Sequence, residues 1–224
     1  MSTDSLRHPL TRTLLILTLT TGVIDAASYL GLGRVFAANM TGNIVLLGFG
    51  IAGSSGLPVV APLVSLCAFL GGAVLGGRMG LMLGPKEAHL SRAMLIEVGF
   101  TALATLLAIV FQITPDHFSG DLIIALLAFA MGVRNATVRR LKVADLTTTV
   151  LTMTLTGLAA DSPLAGEAGK GSGRRGAAVA SMLVGAVAGA LLVKADLSLV
   201  LLAAALLALV TWLVFMPAAI AAAD

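Results

Sequence analysis

Apolar positions run in long blocks along this chain, broken by short polar intervals that carry most of the charge. Eight blocks can be drawn, at 12–30, 39–53, 58–83, 92–113, 119–138, 146–160, 177–194 and 197–216. Six hold about 18 residues or more, enough for a helix to cross a hydrocarbon layer of ~30 Å at 1.5 Å per residue. The second and sixth hold only about 15 residues, which reach ~22 Å. The pattern predicts an all-α polytopic membrane protein, with 1–224 forming one integral membrane domain. Composition agrees: 58% of residues are hydrophobic and 11% charged, with a mean hydropathy of +1.03, outside the range of soluble domains.

Basic residues decide how the two short blocks are read. Suppose all eight blocks cross and the N-terminus lies inside. Arg7, Arg12, Lys170, Arg174 and Arg175 then fall inside, while Arg34, Arg78, Lys86, Arg92, Arg139, Arg140, Lys142 and Lys194 fall outside. That model shows no strong bias in either orientation. If the short blocks instead enter and leave on one side, the outer side keeps only Arg34 and Lys194. The other eleven gather inside, as cytoplasmic loops require; Arg134, within the fifth block, is counted in neither model. Three crossings per half is an odd number, so the halves run in opposite directions. The expectation is six transmembrane helices and two re-entrant half-helices in an inverted 3+3 repeat, with both termini cytoplasmic. The alternative is eight crossings in a 4+4 repeat.

The repeat is also written in the residues. Gly22-Val23-Ile24-Asp25-Ala26 is echoed by Gly132-Val133-Arg134-Asn135-Ala136, and each copy closes an apolar block. Each is followed by a short Thr-rich segment, Asn39-Met40-Thr41-Gly42-Asn43 in one half and Thr147–Thr154 in the other. The repeats span approximately 11–113 and 119–217, with a cytoplasmic linker at 161–176. Gly72, Gly76, Gly80 and Gly84 form one small-residue ridge, and Ser181, Gly185 and Gly189 its counterpart. Such ridges let helices approach closely in lipid. Packing between the halves is the plain reading, and a homodimer through the ridges is the other.

Short, polar-interrupted segments at matching places in two halves point to a solute site near the midplane. Asp25 is the sharpest candidate, because a carboxylate within a span faces protein interior or a water-filled cavity. Its alternative role is to tether the re-entrant loop through backbone N–H groups. Asn39, Thr41 and Asn43 would start a half-helix whose N-terminal dipole faces that cavity. Asn135, Thr148, Thr149 and Thr152 would line it from the other half, with Thr154 nearby. Arg34, Glu97, Arg134 and Asp145 are candidates for gating or charge pairing. Arg34 and Arg134 are the available partners for Asp25, and Arg92 or Arg78 those for Glu97. Tyr29, Trp212 and Phe215 near helix ends read as interfacial anchors. Cys67, the only cysteine, excludes an intrachain disulfide and reads as a small buried residue.

Enzyme motifs are missing. His8, His89 and His117 are scattered, and no HExxH pattern occurs. Gly169-Lys170-Gly171-Ser172 lacks the first glycine of a phosphate loop and has glycine where Ser or Thr should follow the lysine. No enzyme activity, cofactor, metal or nucleic-acid partner is expected. The expected partners are the lipid bilayer and a small solute.

The 22–48 stretch, from Gly22-Val23-Ile24-Asp25 through Asn39-Met40-Thr41-Gly42-Asn43 to Gly48, resembles the signature of the YoaK family of bacterial membrane proteins. Met131-Gly132-Val133-Arg134-Asn135 and the Thr-rich run to Thr156-Gly157 resemble its second half. The resemblance covers essentially the whole chain and implies a polytopic inner-membrane protein. The family is a domain of unknown function, so no substrate comes with it. This sequence has Met153 where the first half has the Thr41-Gly42 pair, which weakens any close backbone approach there. The function that residues and resemblance together suggest is a small-solute transporter or channel. A membrane-embedded binding, sensing or assembly protein is the alternative, and an integral membrane enzyme a more distant one.

Overall fold

A computed structural model describes residues 6, 8–54, 56–82, 86–111, 113, 118–141 and 151–221. The described residues form eight α-helices and one short 3-10 turn, with no strand among them. In chain order the helices are α1 (Pro9–Gly31), α2 (Met40–Ile51), α3 (Val60–Met82), α4 (Lys86–Val110), α5 (Phe118–Leu141), α6 (Leu151–Ala160), α7 (Ser172–Val193) and α8 (Leu197–Ala221). Six are long and apolar enough to span a membrane; α2 and α6 are not. The helices outrun the apolar blocks where polar ends continue the turn. Helix α4 starts at Lys86, not 92, and α7 at Ser172, not 177. The 161–176 linker is shorter for the same reason: Arg174 and Arg175 lie in the first turn of α7, and Arg175 pairs with Asp161 at 2.7 Å.

Hydroxyls inside the spans are accommodated locally. Thr18, Thr21, Thr105 and Thr137 each donate to the carbonyl one turn back, at 2.8–2.9 Å. This satisfies each hydroxyl hydrogen within its own helix.

Two apolar clusters mark the ends of the bundle and fix the helix directions. One gathers Leu10 and Leu14 of α1, Leu90 and Met94 of α4, Leu141 of α5, Ala178 of α7 and Met216 of α8. The other gathers Ile24 and Ala27 of α1, Ala61 of α3, Ala104 of α4, Ile123 of α5 and Leu201 of α8. Helices α1, α4 and α7 therefore run one way, and α3, α5 and α8 the other. Helix α1 ends where α3 begins, and α5 ends where α7 begins. A parallel 4+4 arrangement would need α1 and α5 to run the same way, and they do not.

Helix pairings interchange between halves. Helix α3 packs on α5 as α7 packs on α1; α4 packs on α5 as α8 on α1; α2 packs on α3 as α6 on α7. Glycine makes the closest of these contacts possible. A Cβ on Gly72 would strike the Phe129 carbonyl, and one on Gly185 the Leu19 carbonyl. Gly132 meets the Phe69 carbonyl as Gly22 meets that of Met182. Gly76 and Gly189 sit against Val133 and Val23 in the same way. Gly72, Gly76, Gly185 and Gly189 are thus filled by packing within the chain. Gly80 differs, because it makes room for the Arg140 and His89 side chains; Gly84 lies outside the described residues.

Cys67 is exposed on α3, not buried. In an apolar membrane helix a hydrophobic neighbourhood in sequence does not separate a lipid-facing position from a core one.

Candidate functional site

The chain leaves α1 at Gly31 and turns back into the protein. Gly33 (φ 109°) and Arg34 (φ 55°) take left-handed backbone, which makes the reversal tight. Leu32, Val35, Ala37 and Ala38 are then buried. Asp25 and Asn43 hold this lead-in loop, with Ser28 accepting from the Ala37 N–H at 3.2 Å and Ser65 donating to the Phe36 carbonyl at 2.8 Å. Asp25 accepts through one carboxylate oxygen from the N–H groups of Ala37 (3.1 Å) and Ala38 (2.8 Å). Asn43 is fully buried: it accepts from the Phe36 N–H at 2.9 Å, donates to the Phe36 carbonyl at 2.7 Å and donates to Ser65 at 3.0 Å. Six residues separate Asp25 from the end of α1, so α2 begins ~9 Å inside that end. Asn39 caps α2 by accepting from the Gly42 N–H at 3.2 Å.

The start of α2 meets the start of α6. A cavity of about 130 Å³ is lined by Thr21, Asp25, Ala38 and Asn39 on one side and by Leu151, Thr152 and Met182 on the other. A neighbouring cavity of about 460 Å³ is lined by Tyr29, Phe36, Asn39, Thr41 and Thr152, among others. The larger is within the range of small-molecule sites, ~300–1,000 Å³. Asn39 and Thr152 border both, so Asp25, Asn39, Thr41 and Thr152 come together as the sequence suggests. Asp25's second carboxylate oxygen makes no hydrogen bond to the described residues, and Asp25 borders the smaller cavity. Two helix N-termini contribute positive dipole ends to the same place.

Other candidates are placed differently. Asn43 is consumed by the loop, so it shapes the site without offering a free amide. Asn135, the repeat mate of Asp25, borders a groove between α3 and α5, not the Asp25 cavity. Arg34 is exposed and reaches the Gly56 carbonyl at 3.4 Å instead of pairing with Asp25. Thr148, Thr149 and Asp145 lie outside the described residues. Tyr29 is no simple anchor: it stacks on Phe36 with ring centroids 4.8 Å apart. Trp212 donates to Ser91 at 2.8 Å and ties α8 to α4.

The charge pairing in the core corrects the expectation for Glu97. Its partner is Arg134, at 2.7 Å with both side chains fully buried, not Arg92 or Arg78. Arg134 also donates to Thr21, which borders the Asp25 cavity. A hydrogen-bonded chain thus runs from Glu97 on α4 through Arg134 on α5 to Thr21 on α1. Glu97 Oε2, Arg134 Nε and the Thr101 hydroxyl are buried near this chain without a hydrogen-bond partner among the described residues. A signal for the pair exists in the sequence. Glu97 lies 13 residues before α4 ends at Val110, and Arg134 16 after α5 starts at Phe118, so an antiparallel hairpin brings them within about a turn of each other.

Comparison with known proteins adds a family but no chemistry. Residues 13–214 match the family described as "Protein of unknown function (DUF1275)". The transmembrane protein YoaK (UPF0700) of Bacillus subtilis strain 168 is 35% identical over 151 residues. That alignment spans 65% of this chain and 64% of the relative's own length, somewhat under two-thirds. No solved structure matches the chain. With six long apolar helices and a family match over nearly its whole length, this chain is a multi-pass integral membrane protein and belongs to the DUF1275 family.

Proposed function

We propose that this protein is a small-solute transporter or channel of the bacterial inner membrane, with its solute site where the N-termini of α2 and α6 converge. One observation carries the reading: Asp25 and Thr152, from opposite halves of the chain, border the same cavity. In this proposal α2 and α6 are re-entrant half-helices, and the halves form an inverted repeat about an axis in the membrane plane. The interchange of helix pairings supports that repeat, and the excess of basic residues in the loops at one end supports cytoplasmic termini. The site would take a solute with hydrogen-bond donors or positive charge, because its least engaged group is a carboxylate oxygen.

The test is uptake into proteoliposomes across a broad panel of labelled metabolites, amines and cations. At least one compound should enter faster than into protein-free vesicles, and Thr152→Val should slow that uptake without lowering thermal stability. If no compound on the panel is taken up by well-folded protein, the membrane-embedded assembly or sensing role replaces transport.

A further inference from the structure

We infer that the groove between α3 and α5, at the end of the bundle where both helices finish, is a binding site for one anionic phospholipid. The groove holds about 600 Å³. Phe69, Val74 and Leu81 contribute its apolar wall, and Arg78, Arg139 and Arg140 gather at one end. No acidic residue among the described residues lines it. Arg140 is held in place by donating to the Gly77 carbonyl at 2.9 Å. Gly80 makes this possible, since a Cβ there would collide with the guanidinium. Arg78 and Arg139 are exposed, and neither appears in an ion pair among the described residues.

The dimensions fit a lipid better than a free anion. Phe69 to Arg78 is nine residues of helix, or ~14 Å, close to the ~15 Å hydrocarbon depth of one leaflet. Val74 is 56% and Leu81 78% exposed, so the wall is open to the bilayer and an acyl chain can lie along it. The arginines then stand at headgroup level, where guanidinium groups bind phosphate oxygens in bidentate fashion. Basic pockets between spans on the cytoplasmic side hold anionic headgroups in this manner. A free phosphate would use the arginines and leave the apolar wall empty. The inference rests on the membrane-spanning reading and is independent of transport.

Native mass spectrometry of delipidated protein in mild detergent tests it. Phosphatidylglycerol and phosphatidylcholine with the same acyl chains are titrated separately. One phosphatidylglycerol should bind per chain, at least about tenfold more tightly than phosphatidylcholine. Arg78→Gln with Arg139→Gln should weaken phosphatidylglycerol about thirtyfold and leave phosphatidylcholine unchanged. Arg92→Gln, an exposed arginine on α4 outside the groove, should change neither. Val74→Trp fills the wall, keeps every arginine and should also weaken phosphatidylglycerol. Equal affinity for the two lipids, full binding by the double variant, or full binding by Val74→Trp would overturn the assignment. Displacement of the lipid by millimolar inorganic phosphate would overturn it too, and would mark a free-anion site.

Discussion

Asp25 tethers the loop, one of the two roles the sequence offers for it, and its position leaves the other open to test. One carboxylate oxygen carries the Ala37 and Ala38 N–H groups, and the side chain also borders the cavity. Asp25→Asn keeps an acceptor oxygen for the loop but weakens charge-assisted bonds to neutral ones, about 1–2 kcal/mol. We predict a modestly lower melting temperature and, if the free oxygen binds solute or proton, a much larger loss of flux. Undiminished flux in the folded variant would remove Asp25 from the transport site. Glu97 and Arg134 make a stricter case, because breaking a buried pair leaves a bare charge in the core. Glu97→Gln should cost roughly 3–5 kcal/mol, and the double variant Glu97→Gln/Arg134→Met should recover much of that. Chemical or thermal unfolding in one detergent measures both; a double variant as unstable as the single would show that the pair's charges are not what matters.

Helix contacts depend on where the glycines stand. Gly72 and Gly185 meet carbonyls of α5 and α1, so Gly72→Ala or Gly185→Ala forces helices apart and should cost about 1–3 kcal/mol or prevent folding. Gly99, on α4, has open space where its Cβ would go. Gly99→Ala should therefore be neutral or stabilise by up to about 1 kcal/mol through helix propensity. Matching losses at Gly72 and Gly99 would contradict the packing described above. The start of α8 offers a pH test. Asp196 accepts from the Ser198 N–H at 2.6 Å and from its hydroxyl. The hydrogen bonds from Ser198 hold its carboxyl below the ordinary 3.8. A depressed folded-state value gives stability that is present above 3.8 and lost as pH falls through the folded value. Asp196→Asn should lower thermal stability slightly at neutral pH, and the gap should close in strong acid.

Across the molecule, the helix directions lead to a topology that labelling can test. If α2 and α6 re-enter, Ser54 and Ser162 lie on opposite faces of the membrane. Single-cysteine variants at these positions in a Cys67→Ser background should react with an impermeant thiol reagent from opposite sides. Labelling of both from one side would sink the inverted repeat. The same directions account for the two cavities. If each segment returns to its own side, it brings its helix N-terminus inward, and doing so from both ends makes the two N-termini meet.

Much of this architecture was legible along the chain. Eight apolar blocks, two of them too short to span, follow from local hydropathy. The glycine ridges and the Gly22/Gly132 echo follow from spacing. The bias of basic residues separates two topologies because charge is costly to move across lipid. Pairing was decided elsewhere. Asn135 stands in the same repeat position as Asp25 yet faces a different groove. Glu97 turned from its near neighbours in sequence to Arg134, and Cys67 faced outward from an apolar stretch. Hydropathy belongs to each segment alone, whereas a side chain's partner depends on how its helix is rotated and which helix lies against it. Those are set by close packing of the six long helices against one another, and only the tertiary structure contains them.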